Sequence, residues 1–278
     1  LELRRDAVRD DLRPMDRAAV LTAFNEQVRQ ATAPDGTGAS FEKSDVVVRR
    51  LAPSGQEGSG IFWTDLDAGN ADAVIAGEVA IFAARGEEFE WKLYDYDQPA
   101  DLGERLRAAG FAAEAPESFM VAEAAAVAAE LKSAAEPAGV RIERVTDPAG
   151  VARMNQVSEA VFAEDRSELT QSILAQLATA PDMTGLFVAM AGDLPVSSAR
   201  IEFLPHCEFA GLWGGGTLAE WRGRGIYRAL VRSRAELAVQ RGYAYLTVDA
   251  SPDSRPILER LGFIRLAVTT PYIWAPAG

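Results

Sequence analysis

At 278 residues, with 48% hydrophobic and 8% aromatic side chains, the chain is long enough for two ordinary domains with separate cores. Its formal net charge of −13 argues against nucleic acid as a partner, because phosphates are repelled by such a surface; the charge is compatible with cationic substrates. A single cysteine, Cys207, and a single histidine, His206, exclude an internal disulfide and a thiolate metal cluster, and no metal site is indicated. With no apolar leader and no long apolar run, the expectation is a cytoplasmic protein without a membrane partner.

From the N-terminus, residues 14–30 carry Ala18, Leu21, Phe24 and Val28 on one face and predict a helix. A Gly-, Ser- and Pro-rich stretch, 32–40, leads to strands over 46–51 and 61–66 and then a helix over 72–84. A strand over 88–94 follows, where Phe89, Trp91 and Leu93 alternate with charge. Residues 124–135 are alanine-rich and read as a helix or a linker. Pro137-Ala138-Gly139 ends them, and the domain boundary is set there, giving units 1–136 and 137–278.

The second unit reads as a strand over 140–145, helices over 148–162 and 168–178, and strands over 186–191 and 196–203 joined by a turn at Gly192-Asp193. A strand over 209–213 comes next. Arg222-Gly223-Arg224-Gly225 then opens a helix whose apolar stripe is Ile226, Leu230, Val231, Leu237 and Ala238, closed by Gly242. A strand over 245–248, a short helix over 256–261 and an aromatic strand at 272–274 complete the order.

A basic, glycine-rich turn at a helix start presents unpaired N–H groups and the positive end of the helix dipole, an arrangement that binds phosphate. An NTPase P-loop needs Lys-Ser/Thr after its last glycine, where this chain has Ile226-Tyr227. A dinucleotide fold needs three spaced glycines directly after a strand, and Gly214-Gly215-Gly216 lie too far from the helix. The turn instead resembles the pyrophosphate loop of the GNAT N-acetyltransferase superfamily, Gln/Arg-x-x-Gly-x-Gly/Ala, with Arg222 first and Gly225 fourth. Leu218 to Trp221 and Ser251 to Phe263, which ends in Gly262-Phe263, are similar to the family's flanking segments.

The resemblance implies an α/β (α+β) fold with a mixed, mostly antiparallel sheet flanked by helices. It also implies acetyl transfer from acetyl-CoA to a primary amine of a small molecule or peptide. On it, Gly223, Arg224, Gly225, Ile226, Tyr227 and Arg228 with Arg222 would hold the pyrophosphate, and Thr217, Leu218 and Ala219 the pantetheine arm. Two departures stand out. Tyr227 replaces a small residue, and Leu258 stands where many members carry a tyrosine that protonates the leaving thiolate. Candidate bases are Glu202, His206 and Glu208, at most one of them catalytic; each also reads as a solvated strand or turn residue. Glu164, Asp165 and Glu168 are candidates for lining the acceptor pocket, and Ser251 and Tyr272 are proton donors by position only.

A faint repeat links Leu106-Arg107-Ala108-Ala109-Gly110-Phe111 with Leu258 to Phe263. Each copy precedes an aromatic strand, 119–121 and 272–274, and the first half has no Arg-x-x-Gly-x-Gly. The expectation is a tandem pair of GNAT-like domains of which only the second keeps the cofactor loop. A non-catalytic CoA-binding scaffold and an acyltransferase of the mycothiol-synthase type are the alternatives. The acceptor and the oligomeric state have no signature in the sequence.

Overall fold

In the computed structural model, which describes residues 15–56 and 58–276, the first helix, α1 (Arg17–Phe24), begins where Asp16 accepts hydrogen bonds from the N–H groups of Ala18 and Ala19 at 3.1 and 3.2 Å. It runs on as a π-helical turn, Asn25–Arg29. The polar stretch that follows yields an unexpected edge strand, β1 (Ser40–Lys43). It has one apolar side chain, Phe41, and exists through pairing with β2 (Val47–Leu51). Then come β3 (Gly60–Thr64), α2 (Ala71–Arg85), β4 (Phe89–Tyr94), α3 (Leu102–Ala108), β5 (Ala112–Ala113), β6 (Glu117–Glu123) and α4 (Ala124–Leu131).

The second half begins with β7 (Arg141–Val145) and α5 (Pro148–Phe162), whose Asp147 cap accepts from Gly150 N–H at 2.7 Å. It continues through α6 (Ser167–Thr179), β8 (Thr184–Ala191), β9 (Leu194–Phe203), β10 (Phe209–Thr217), α7 (Ile226–Gln240), β11 (Tyr245–Ala250), α8 (Arg255–Arg260) and β12 (Ile264–Trp274). This is the predicted order: strand, two helices, three antiparallel strands, helix, strand, helix, strand.

One twelve-stranded sheet carries both halves, in the order β1-β2-β3-β4-β12-β6-β11-β10-β9-β8-β7, with β5 beside β12. Among the described residues only β3–β4 and β10–β11 are parallel pairs. The connections repeat: α2 follows β3 as α7 follows β10, and α3 follows β4 as α8 follows β11. At the centre the halves exchange strands. The last strand of the first half, β6, lines up against β11, and the last strand of the second half, β12, lines up against β4. The two exchanged strands pair with each other in antiparallel fashion. The sequence boundary at 136/137 lies between α4 and β7, yet the sheet runs across it.

Four clusters of buried side chains fill the space between sheet and helices. On one face α2 and α3 cover the first half through Ile75, Phe82, Leu102 and Leu106. On the second half α7 is joined by the alanine-rich α4, which is a helix: Val127 and Leu131 pack with Leu230, Ala235 and Ala238. On the opposite face α1 covers the seam, Phe24 lying 4.3 Å from Phe119 and 5.6 Å from Phe209 between ring centres. Each such buried ring contributes about 1.5–3 kcal/mol. Helices α5 and α6 cover the far end of the same face through Val151, Met154 and Val157.

Candidate functional site

Strands β10 and β11 pair at Phe209–Tyr245, Ala210–Leu246 and Gly211–Thr247, and there the pairing stops although both strands continue. Beyond it they splay, leaving backbone edges of both without strand partners on that side. On its other edge β10 stays paired to β9, with a bulge between Trp213 and Gly216. Packing requires glycine in the bulge. A Cβ on Gly216 would lie 2.9 Å from Val161 of α5, and one on Gly215 would lie 3.2 Å from the Tyr227 ring under the opposite face.

Past the bulge, Thr217 is fixed by Ser197, whose Oγ lies 2.8 Å from Thr217 Oγ1, and Leu218 N–H donates to Val196 C=O at 3.0 Å. Ala219 opens a single 3₁₀ turn ending at Trp221. Gly223 and Gly225 then take φ of +73° and +79°, with open space where a side chain would stand. The first backbone bond into α7 runs from Ala229 N–H to Gly225 C=O at 3.0 Å. Among the described residues no protein acceptor takes the N–H groups of Gly223 to Arg228.

Arg222 donates to Thr217 C=O at 3.1 Å, and Arg224 donates to Glu220 C=O at 3.1 Å while stacking 4.5 Å from the Trp221 ring. Neither these two nor Arg228 forms an ion pair among the described residues. Bare donors, exposed cations and the helix dipole converge on one spot suited to an anion. Tyr227 and Ile226 serve differently. Ile226 is buried in the core, and the Tyr227 ring turns inward below Gly215, where burial raises its hydroxyl pKa.

Behind the bulge stands Arg234 of α7, only 1% exposed. Its Nε donates to Leu230 C=O at 3.1 Å and its Nη1 to Arg200 C=O at 3.3 Å, while Nη2 has no partner. Burial lowers its pKa, and the neighbouring Tyr227 hydroxyl opposes that. The guanidinium thus serves a β9 carbonyl beside the bulge.

The matching loop of the first half, between β3 and α2, has the opposite character. Asp67 Oδ1 accepts from Gly69 N–H at 2.7 Å and Asn70 N–H at 2.9 Å, and Asn70 Oδ1 accepts from Asp67 N–H at 2.8 Å. The donors of Gly69, Asn70 and Ala71 are taken up by Asp67 itself, and its negative charge sits where an anion would bind.

On the sheet face away from α7, side chains of both halves meet beside the splay. Lys92 of β4 forms an ion pair with Asp249 of β11, although β12 and β6 stand between these strands. A flat sheet would hold them about 14 Å apart, so the sheet curls around its central seam. Burial disfavours the Lys92 charge, but Asp249 beside it prevails and holds the lysine pKa above its ordinary value. Thr269 Oγ1 donates to the other Asp249 oxygen at 3.3 Å. Trp213, 38% exposed, lies under Lys92 with 5.4 Å from Nζ to the ring centre. Glu117 stands next to this group, its pKa raised to about 7 by burial, then by the Asp249 charge, with Lys92 opposing. Among the described residues no group of His, Cys, Asp and Glu is arranged to hold a metal ion.

The predicted bases fare unequally. Glu202 of β9 lies opposite Gly211 on this face, ion-paired with Arg200 at 2.8 Å. His206 and Glu208 lie in the turn before β10, at the end where β10 and β11 are still paired. His206 has φ of +56°, and Glu208 Oε2 accepts from Gln27 Nε2 at 2.8 Å. Both are therefore remote from the splay, since the strand runs away from them toward it. Of the predicted pocket acids, Glu164 pairs with Arg166, and Asp165 accepts from Ser167 N–H. Glu168 is exposed in the first turn of α6. Ser251 faces Ser254, Tyr272 is buried in the first-half core, and Leu258 is wholly buried beneath α7. Sequence reasoning missed Lys92, Glu117 and Thr269 because nothing local ties these positions to Asp249.

Residues 150–263 match the model of the acetyltransferase (GNAT) family. Over this segment the chain is similar to that family. The matched segment contains the splay, the glycine turn and α7, but neither Lys92 nor Glu117. The whole fold is similar to that of a GCN5-related N-acetyltransferase from Kribbella flavida, at 17% identity and a TM-score of 0.65, covering 94% of this chain and 95% of that one. It is also similar to a tandem GNAT protein from the clavulanic acid biosynthesis pathway, at 13% identity and a TM-score of 0.58, covering 94% of each chain. A third likeness is to a GCN5-related N-acetyltransferase from Sphaerobacter thermophilus, at 14% identity and a TM-score of 0.56, covering 84% and 82%. No curated protein sequence matches this chain. No helix among the described residues is long and apolar enough to cross a membrane.

Proposed function

We propose that the protein is an acetyl-CoA-dependent N-acetyltransferase of the cytoplasm, acting on a primary amine of a small molecule or peptide rather than on nucleic acid or membrane. Two GNAT-like units, 1–136 and 137–278, make up the chain, and only the second binds the cofactor. The observation that carries this reading is the run of free N–H groups from Gly223 to Arg228, set at the positive end of α7 beside an open strand edge.

The residues fit a pyrophosphate with a pantetheine arm. Gly223 and Gly225 leave the approach open, Arg222 and Arg224 add charge, and the edge from Gly214 to Ala219 offers backbone groups to amides in the manner of an added strand. Bound acetyl-CoA supplies an acyl group on a leaving thiolate. Trp213 and the Lys92–Asp249 pair then form the wall an amine meets on the far side of the sheet. A backbone N–H of the splayed β10 edge is the natural donor for negative charge developing on the acyl oxygen.

A second reading, a non-catalytic CoA-binding protein, is favoured by one observation: Leu258 is buried and cannot donate a proton. Calorimetric titration of the intact chain with acetyl-CoA, followed by CoA-release assays with primary amines, separates the two. Micromolar binding with amine-dependent release supports the enzyme, and binding without release supports the scaffold. The absence of binding removes both.

A further inference from the structure

The strand exchange has a chemical consequence on the face beside Trp213. Along β6, Glu117 and Phe119 point to the same side, and Phe119 lies opposite Asp249. Glu117 itself lies opposite Thr269, the residue that donates to Asp249. Asp249 is fully engaged by Lys92 and Thr269, and Glu202 is engaged by Arg200. Glu117 differs from both: it is largely withdrawn from solvent, and among the described residues no donor pairs with its carboxylate.

We propose that Glu117, a residue of the first half, is the general base of the second half's acetyl transfer, taking a proton from the acceptor ammonium as it enters beside Trp213. The assignment rests on the acetyltransferase reading above and deepens it. One proton moves from R–NH₃⁺ to the Glu117 carboxylate, leaving R–NH₂ with its lone pair free and a neutral carboxylic acid that later returns the proton to water. Of the two remaining N–H protons, one stays on the amide product and the other leaves with the thiol.

The groups facing Glu117 suit this role. Asp249 from β11, Glu90 from β4 and Glu114 before β6 favour its protonated form, as does burial, while Lys92 from β4 favours the ionised form. The outcome is a carboxyl titrating at about 7, close to the pH at which a base is both ionised and able to hold a proton. Lys92 and Asp249 act as positioning residues that hold the seam closed beside it.

The test uses the intact chain with two probe amines: n-butylamine, an ammonium ion at pH 7, and methoxyamine, already neutral there. Glu117→Gln is expected to lower kcat/KM for butylamine by about 10²- to 10⁴-fold. It should also remove the acid limb of the pH profile near 7, leaving methoxyamine turnover and calorimetric acetyl-CoA affinity unchanged. Independently of turnover, carboxyl ¹³C NMR should show one resonance with a midpoint near 7 that vanishes in the variant. Equal butylamine turnover in the variant, or a Glu117 midpoint in the ordinary carboxylate range, would overturn the assignment and leave the acetyltransferase reading standing. An intact chain that does not bind acetyl-CoA overturns both.

Discussion

Glu117 costs the fold stability at neutral pH. Its carboxyl titrates at about 7 in the folded chain against an ordinary 4.5, so between those values the folded state holds a proton that the unfolded state has released. Stability therefore falls as pH rises through this window, and the deficit is fully present above 7. Glu117→Gln is expected to raise unfolding free energy by about 1–2 kcal/mol at pH 8, after allowing for solvent screening of a partly exposed group. At pH 4 it should change little. Urea unfolding at the two pH values checks both the sign and the window. Gly225, at φ +79°, makes the complementary case on the cofactor side. Gly225→Glu should cost about 1–2 kcal/mol of backbone strain and eliminate acetyl-CoA binding by placing a carboxylate among the free donors. A folded variant with unchanged calorimetric affinity would locate the anion elsewhere.

At the scale of elements, the β10 bulge is clamped between two helices. Val161 of α5 stands 2.9 Å from a Cβ built on Gly216, and Tyr227 of α7 stands 3.2 Å from one built on Gly215. The inward turn of Tyr227 explains how a bulky ring is accommodated where the family resemblance called for a small residue: it underlies the bulge and leaves the outer side of the turn open. Gly216→Val should force α5 away from the sheet, destabilise the protein by about 1–3 kcal/mol and weaken acetyl-CoA binding. Thermal unfolding and calorimetry on the same preparation test the pair of effects together. Loss of stability with unchanged affinity would mean that bulge geometry does not govern the cofactor edge.

For the whole molecule, the exchanged strands decide what can exist alone. A fragment 137–278 would lack β6 and α4, exposing the edge of β11 and the α7 surface that Val127 and Leu131 cover. Its own β12 pairs antiparallel with β6 in the intact chain, so two fragments can complete one another by swapping β12. The fragment is expected to sediment as a dimer. A stable monomer would show that β12 folds back onto β11, and that the exchange is a choice of the tandem chain rather than a need of the half.

Much of this protein was legible locally. Helix α5 begins and ends where Asp147-Pro148 and the apolar period require, and the glycine turn announces free donors because helix starts always leave them. The repeat of Gly110-Phe111 and Gly262-Phe263 follows two short helices in equivalent places. Edge strand β1 escaped notice because its stability comes from its neighbour, and the bases suggested in the turn before β10 were near the motif in sequence but at the wrong end of the strand. By itself the sequence determined most of the helices and strands and the glycine turn before α7, since propensity, capping and turn geometry act over a few residues. Which strand lies beside which was decided only by the tertiary structure. Alternation along a strand specifies the face that is buried and says nothing about the neighbour at its edge, and that choice brings Lys92 and Glu117 to Asp249.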